Sequence, residues 1–487
     1  MTIFTKAIRI IAAALALLMA VPMTAGAVSS YQGYVYDFEG NDIYSINPYL
    51  FLTSIDGTDM ESGPLKGPED LFIARDSTIY VVESGNNRVL HINAQKQVLG
   101  IYGDLEGDGA LNGPKGVFVT ENGDVYVSDT LNRRIAKFDK SGQFIQDFGV
   151  PESPLLPGGF VYSPSKLIVD KRGYMFVVSE GTSQGLLQLK PDGTFAGFFG
   201  ANHVPYDWTR IAVRLMASEQ QREQLSTVRP PEFSSIFQDA EGFIYTTTLG
   251  VEENQVKRLS AVGVDTLNMN GSQTYGDLYL PIRNNQELQT AIVDVSVNAN
   301  GIITALDRTT GRLFQYNKLG DMLFAFGGFG NQDGLFKTPT SVAESPDGMI
   351  YVADQTRNRI DVFYPTPFAQ LVHKASELYV DGKYEEAFRP WQQVLELNSN
   401  YDLAYYSIGK ALYRQQRYKE AMSYFKIVGD QADYSNAFKE YRKIVIREQF
   451  GSFMSVLLAL MIASIAIRLI VRNMSARKKR QEGVRTL

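Results

Sequence analysis

The chain repeats one strand-rich pattern six times between about residues 63 and 364. Each copy contains short runs of β-branched or aromatic residues separated by Gly, Asn or Asp, which is the pattern of strands joined by turns. A period of roughly 40 to 50 residues with several strands in each unit is typical of propeller blades. The repeat therefore predicts a mainly β fold, a six-bladed β-propeller over residues 28–365, in a protein that serves mainly as a binding platform.

The first, second and sixth copies share three motifs in a fixed order. A proline and a short aliphatic run come first. An aliphatic-Tyr-Val run that ends in an acid follows, as in residues 79–83 and 350–354, and Asn-Arg-Ile or a variant of it comes last, as in residues 358–360. This order resembles the NHL-repeat β-propeller family. The resemblance covers roughly residues 63–364, is weak in the third and fourth copies, and implies blades arranged around a central channel.

The sixth copy ends at about residue 364 without the fourth strand that other copies contain. Residues 49–57, which precede the first copy, have the pattern of that missing strand. The N-terminal segment would then close the ring and remove its open edge. The alternative is a seventh blade, if residues 34–47 form a sheet of their own.

Four copies place an Arg five residues after the acid, across a hairpin turn. Such a carboxylate can accept turn amides, and Arg offers a planar fork to a carboxylate on its own or a neighbouring blade. Because the feature recurs, we interpret it as structural pairing rather than as a ring of ligand-binding charges. The pairs are Glu83 and Arg88, Asp129 and Arg134, Asp307 and Arg312, and Asp354 and Arg359.

Residues 366–434 change to a helical pattern. Residues 382–391 are echoed by residues 417–425, and Ala387 and Ala421 are 34 positions apart, which is the length of a tetratricopeptide (TPR) repeat. The segment resembles two TPR repeats, followed by a capping helix or stalk over residues 435–450. In that family the first helix of each repeat lines a groove, which implies a binding surface for a peptide or an acidic segment. The implied groove residues are Val372, Ser376, Tyr379, Tyr406, Lys410, Tyr413 and Arg414. The alternative is that the pair is only a spacer.

Both ends of the chain carry membrane signals. Residues 1–27 combine a charged start, an apolar run and a small-residue cleavage site, which predicts a signal peptide; an uncleaved signal anchor is the alternative. Residues 451–471 are apolar enough to span a bilayer. The basic tail at 472–487 marks the cytoplasmic side. We therefore expect a single-pass cell-membrane protein with a large extracellular part.

The composition of the chain limits the kinds of site and partner that it can have. The absence of cysteine excludes disulfides and thiolate metal sites, and a net charge of −6 without a basic face argues against nucleic acid. The three histidines are dispersed along the chain, so no histidine-ligated metal and no cofactor is expected. A calcium-like string at residues 104–109 lacks the final bidentate Glu and is interpreted as a structural loop.

The central channel remains a candidate site for a small molecule. The residues expected to open the innermost strands are Asp70, Gly116, Lys166, Ser235, Asp294 and Ser341. Among them Asp70, Lys166 and Asp294 could hold a polar ligand or a cation, which is how related propeller hydrolases and lactonases work. The insertion at residues 201–229 is expected to form a helical excursion from one face, and loops of this length are often functional.

Since no catalytic constellation emerges, we predict a membrane-tethered extracellular scaffold that binds protein partners, accessory to a membrane complex or transporter. The alternative is a lactonase- or lyase-type enzyme with a site at the channel mouth.

Overall fold

A computed structural model describes residues 29–104, 106–202, 230–269, 271–283 and 285–484. The expected signal peptide, nearly all of the expected insertion and the end of the basic tail lie outside these residues. The chain divides into two compact units. One contains the propeller and comprises residues up to Tyr34 together with Ile46–Ala369; the other comprises Val35–Ser45 and Gln370–Leu487.

The propeller unit has six blades, as the repeat predicts, and its strands run antiparallel from the axis outwards. Before the first blade come β1 (Tyr34–Tyr36), β2 (Asp42–Tyr44) and β3 (Tyr49–Ile55). Blade 1 is β4 (Pro68–Ile73), β5 (Ile79–Glu83), β6 (Arg88–Ile92) and β7 (Val98–Tyr102). Blade 2 is β8 (Pro114–Val119), β9 (Val125–Asp129), β10 (Arg134–Phe138) and β11 (Phe144–Phe148). Blade 3 is β12 (Pro164–Val169), β13 (Met175–Ser179), β14 (Leu186–Leu189) and β15 (Phe195–Phe199).

The remaining blades are less regular. Blade 4 has three strands among the described residues, β16 (Phe233–Gln238), β17 (Ile244–Thr248) and β18 (Val256–Leu259). A small hairpin follows, β19 (Ile282–Arg283) and β20 (Gln286–Glu287). Blade 5 is β21 (Ile292–Val297), β22 (Ile303–Asp307), β23 (Arg312–Tyr316) and β24 (Met322–Gly327). Blade 6 is β25 (Pro339–Glu344), β26 (Ile350–Asp354), β27 (Arg359–Pro365) and the early strand β3.

The second strand of every blade is buried along its whole length. Alternate side chains of a strand point to opposite faces, and in β5 both faces meet a neighbouring blade. Ile79 and Val81 pack in one cluster with residues of blade 6, whereas Tyr80 and Val82 pack in another with residues of blade 2. Burial of both faces explains why these segments are short continuous apolar runs rather than alternating ones.

The N-terminal segment closes the ring. Strand β3 pairs with β27 in an antiparallel register that places Ile55 opposite Ile360 and Thr53 opposite Val362, so residues 49–55 supply the fourth strand of blade 6. No seventh blade forms from residues 34–47, since Tyr34 pairs with Ala325 of β24 and the start of β1 extends blade 5.

The second unit is helical apart from Val35–Ser45. Its helices are α1 (Pro367–Val380, which begins in the propeller unit), α2 (Tyr384–Leu397), α3 (Asp402–Arg414), α4 (Tyr418–Ile427) and α5 (Gln431–Val484). Small residues allow close helix packing: a Cβ added to Gly409 of α3 would lie 2.7 Å from the Phe425 ring of α4. Trp391, Ala387 and Ala421 are buried in this packing.

Helix α5 runs for 54 residues without a break, so the expected cap, stalk and span are parts of one helix. The portion Gln431–Arg477 contains a window of mean hydropathy 2.5, none of which is buried. By length and composition this helix can cross a membrane.

Candidate functional site

The residues that the sequence placed at the channel occupy one equivalent position in each blade. Every innermost strand has a register shift after its first residue pair, and the residue that resumes pairing is the expected one. A bulge of this kind bends the strand and re-aims a side chain. The six residues are Asp70, Gly116, Lys166, Ser235, Asp294 and Ser341.

Three of these residues form an ion cluster, which we call the axial triad: Asp70, Lys166 and Asp294. The Lys166 ammonium bonds to Asp70 Oδ1 and lies 3.7 Å from Asp294 Oδ2. The three side chains are only 11%, 8% and 7% exposed for Lys166, Asp70 and Asp294 respectively. The triad therefore joins blades 1, 3 and 5.

Each carboxylate of the axial triad also reaches the backbone of the following blade. Asp70 Oδ2 accepts the N–H of Val117 in blade 2 at 2.9 Å, and Asp294 Oδ2 accepts the N–H of Val342 in blade 6 at 2.9 Å. Ser235 Oγ donates to Asp294 Oδ1 at 2.5 Å. Hydrogen bonds that satisfy the remaining lone pairs are what a buried ion cluster requires.

Burial raises the pKa of Asp70, and the Lys166 charge only partly opposes this. Burial is also the largest influence on Lys166 and favours its neutral form, but the carboxylates of Asp294 and Asp70 outweigh it and raise the pKa of the lysine. Lys166 is thus held as a cation between two acids.

In blades 1 and 2 the acid and the Arg expected from the repeat contact each other directly. Arg88 Nε lies 2.7 Å from Glu83, and Arg134 Nε lies 2.8 Å from Asp129. Both acids also accept a backbone N–H from the loop that enters their blade, from Lys66 in the first case and Asn112 in the second. We call this arrangement a loop clamp: the acid at the end of the second strand holds the entering loop through a backbone N–H.

In blades 5 and 6 the arginines reach other acids. Arg312 lies 2.6 Å from Asp277, and Arg359 lies 2.7 Å from Asp361 and 3.0 Å from Asp333. The repeated acids still clamp their loops, since Asp307 accepts the N–H of Ala291 and Asp354 accepts that of Lys337. The loop clamp is thus common to the four blades, whereas the arginine partner depends on which acid lies nearby.

Four of the seven expected TPR groove residues form two groups. Tyr379 and Tyr413 pack on Tyr384 and Tyr418, at 5.5 Å and 5.2 Å between ring centroids. Tyr413 and Tyr418 lie 34 positions after Tyr379 and Tyr384, so the same contact recurs at the turns from α1 to α2 and from α3 to α4. Val372 and Ser376 are buried, and Arg414 is exposed.

Tyr406 and Lys410 form the other group. The Lys410 ammonium lies 5.2 Å from the centroid of the Tyr406 ring and 2.5 Å from Asp433 of α5. Tyr406 also contacts the ring of Phe38 at 5.4 Å. Neither Phe38 nor Asp433 was expected at this surface, because no periodic signal links residue 38 to α3.

A half-buried acid with a raised pKa lies between blades 5 and 6. Burial raises the pKa of Glu344 from 4.5 to about 7, although Asn298 Nδ2 at 2.9 Å and Thr304 Oγ1 at 3.3 Å donate to it. Because the folded-state value lies above the unfolded one, the acid contributes stability that is complete below pH about 4.5 and is lost as pH rises through about 7.

We expect Glu344→Gln to raise the unfolding free energy by about 2 kcal/mol at pH 8, with a much smaller gain near pH 5. Thermal unfolding at the two pH values measures this, with the exposed Glu121→Gln as the control. A gain of the same size at both pH values would contradict the explanation.

Comparison with known proteins identifies the helical repeat. A family model described as TPR repeat matches residues 375–416, and no curated protein matches the chain. Among solved structures, virginiamycin B lyase from Staphylococcus aureus is 11% identical with a TM-score of 0.39, over 65% of this chain and 88% of the lyase chain. A putative gluconolactonase is 14% identical with a TM-score of 0.39, over 62% and 89%. At this distance no role of a residue in those proteins can be assigned to a residue of this chain.

Proposed function

We propose that this chain is a membrane-tethered, extracellular protein-interaction scaffold, in which an NHL-type propeller and a TPR pair are carried on one spanning helix. The observation that carries the proposal is the second unit: a TPR match over residues 375–416 is followed by helix α5, which runs without a break into an apolar stretch. TPR helices present surfaces to other proteins, and an unburied apolar helix of this length is suited to a bilayer. The partner is expected to belong to a membrane complex or transporter.

The basic residues after position 471 support a cytoplasmic C-terminus, since positive charge flanking a span favours the inner side. The two folded units would then lie outside the cell. The axial triad supports a scaffold over a channel-mouth enzyme, because its two acids share one lysine and accept backbone N–H groups of neighbouring blades.

The test is cross-linking of intact cells with a membrane-impermeant reagent, followed by purification of the tethered protein. We expect a membrane protein to be captured, and its recovery to fall at least about tenfold, equivalent to 1.4 kcal/mol, in the Tyr406→Ala/Lys410→Ala double variant. The matched control is Lys426→Ala/Ile427→Ala on α4, whose side chains are exposed.

Capture that is equal in the groove and control variants would show that the TPR surface is not the binding surface. Failure of the impermeant reagent to reach the protein, while a permeant one does, would overturn the proposed orientation.

A further inference from the structure

The segment Val35–Ser45 precedes the whole propeller in sequence, yet it belongs to the same compact unit as the TPR helices. It forms a tight hairpin between β1 and β2. The Asp37 carboxylate accepts the N–H groups of Glu39 at 2.9 Å and Asn41 at 2.8 Å, and Gly40 supplies the left-handed backbone at φ +88°. The hairpin tip is therefore held by its own hydrogen bonds.

The tip of this hairpin lies against the start of α3. The backbone N–H of Phe38 donates to Asp402 Oδ2 at 3.1 Å, and the Phe38 ring contacts Tyr406. At the base of the hairpin, Ser45 Oγ accepts a hydrogen bond from Asn398 Nδ2 at 2.9 Å. Each polar or aromatic group of the hairpin thus has a partner on the helical side. The Phe38 N–H bonds to the Asp402 carboxylate, the Phe38 ring packs on Tyr406, and the Ser45 hydroxyl bonds to the Asn398 amide.

The contact covers only part of the hairpin. Phe38 remains 49% exposed and Tyr44, on the same hairpin, is 79% exposed. A few contacts of this kind are individually weak, but a tethered segment has an effective concentration in the millimolar range or above. Such a segment keeps the surface covered in the isolated protein and yields it to a competitor that makes the same contacts more fully.

We infer that the Val35–Ser45 hairpin is a built-in occupant of the α3 surface around Asp402 and Tyr406. The external partner of that surface is a protein segment of the same chemistry, a tight turn that presents an aromatic side chain beside an unpaired backbone N–H. The inference rests on the proposed function in one respect, because it assumes that the TPR surface binds a protein.

The experiment uses the full chain in detergent and a fluorescent, cyclised peptide of residues 35–45 as the probe, with anisotropy as the readout. We expect the Phe38→Ala variant to bind the peptide about tenfold more tightly than the wild type, because its own hairpin covers Tyr406 less well. Tyr44→Ala is the matched control and should bind as the wild type does. Adding Asp402→Ala to Phe38→Ala should remove the gain.

Equal affinity of the wild type and the Phe38→Ala variant, or a gain that survives Asp402→Ala, would overturn the inference. Circular dichroism establishes that each variant is folded. The outcome is independent of the cell cross-linking. Tighter peptide binding by the Phe38→Ala variant without a captured membrane partner would overturn the proposed function alone, whereas a captured partner with equal peptide affinity in the wild type and the Phe38→Ala variant would overturn the hairpin inference alone.

Discussion

Replacing Lys166 with methionine is expected to lower the unfolding free energy of the propeller by roughly 3 to 5 kcal/mol, the usual cost of breaking a buried ion pair. The substitution keeps most of the side-chain volume but leaves the carboxylates of Asp70 and Asp294 without their shared cation. The matched control is Lys115→Met. Its ion pair with Glu180 is 36% and 48% exposed, and an exposed pair contributes about 1 kcal/mol or less. Urea unfolding followed by circular dichroism measures both variants.

The loss of unfolding free energy in Lys166→Met should become smaller as the pH is lowered. Burial already raises the pKa of Asp70, and loss of the lysine raises it further, so the folded variant is stabilised by protonation. The triple variant Asp70→Asn/Lys166→Met/Asp294→Asn should recover part of the loss, because no unpaired charge remains buried. A loss no greater than that of the control, or one independent of pH, would show that the axial triad does not hold the blades.

Gly116→Ala is the second substitution from which we expect a large effect, about 3 kcal/mol. A Cβ at this position would collide with the carbonyl oxygen of Ser165 and lie 3.0 Å from Cα of Lys166. Both are backbone atoms of blade 3, so no side-chain rotation relieves the clash. The displacement would also disturb the adjacent hydrogen bond from Val117 to Asp70.

Gly100→Ala in β7 is the matched control, since its nearest neighbour would be the Tyr102 ring at an ordinary 3.6 Å. We expect it to change the unfolding free energy by no more than about 1 kcal/mol. Comparable losses in the two variants would indicate that a general strand effect, rather than close approach of two innermost strands, makes Gly116 necessary.

The blades could be predicted because each copy of the repeat contains apolar runs typical of strands, separated by residues typical of turns. Even the closing strand was visible in the sequence, since the sixth copy lacks an outer strand and residues 49–57 have the right pattern. The equivalent inner position was also visible, and the structure brings Asp70, Lys166 and Asp294 together. What the sequence did not show is that these charges are satisfied by one another and by the next blade.

The surroundings of the TPR surface were harder to predict. A family resemblance identifies α3 positions such as Tyr406 and Lys410, but it says nothing of an unrelated segment that covers them. Phe38 lies about 370 residues earlier in the chain than Tyr406, and no periodicity links the two. The arginines of blades 5 and 6 differ from expectation for a similar reason, since Asp277, Asp333 and Asp361 lie outside the repeated acid position.

The way the ring closes has a consequence for synthesis. Ile55 of β3 pairs with Ile360 of β27, about 300 residues later in the chain. At roughly 5 to 20 residues per second, strand β3 waits about 15 to 60 s after it is made before its partner β27 has been synthesised. Throughout that interval an apolar Tyr-Leu-Phe-Leu edge is available to any other unpaired strand. The nascent chain therefore has to be kept apart from its neighbours until the sixth blade has emerged.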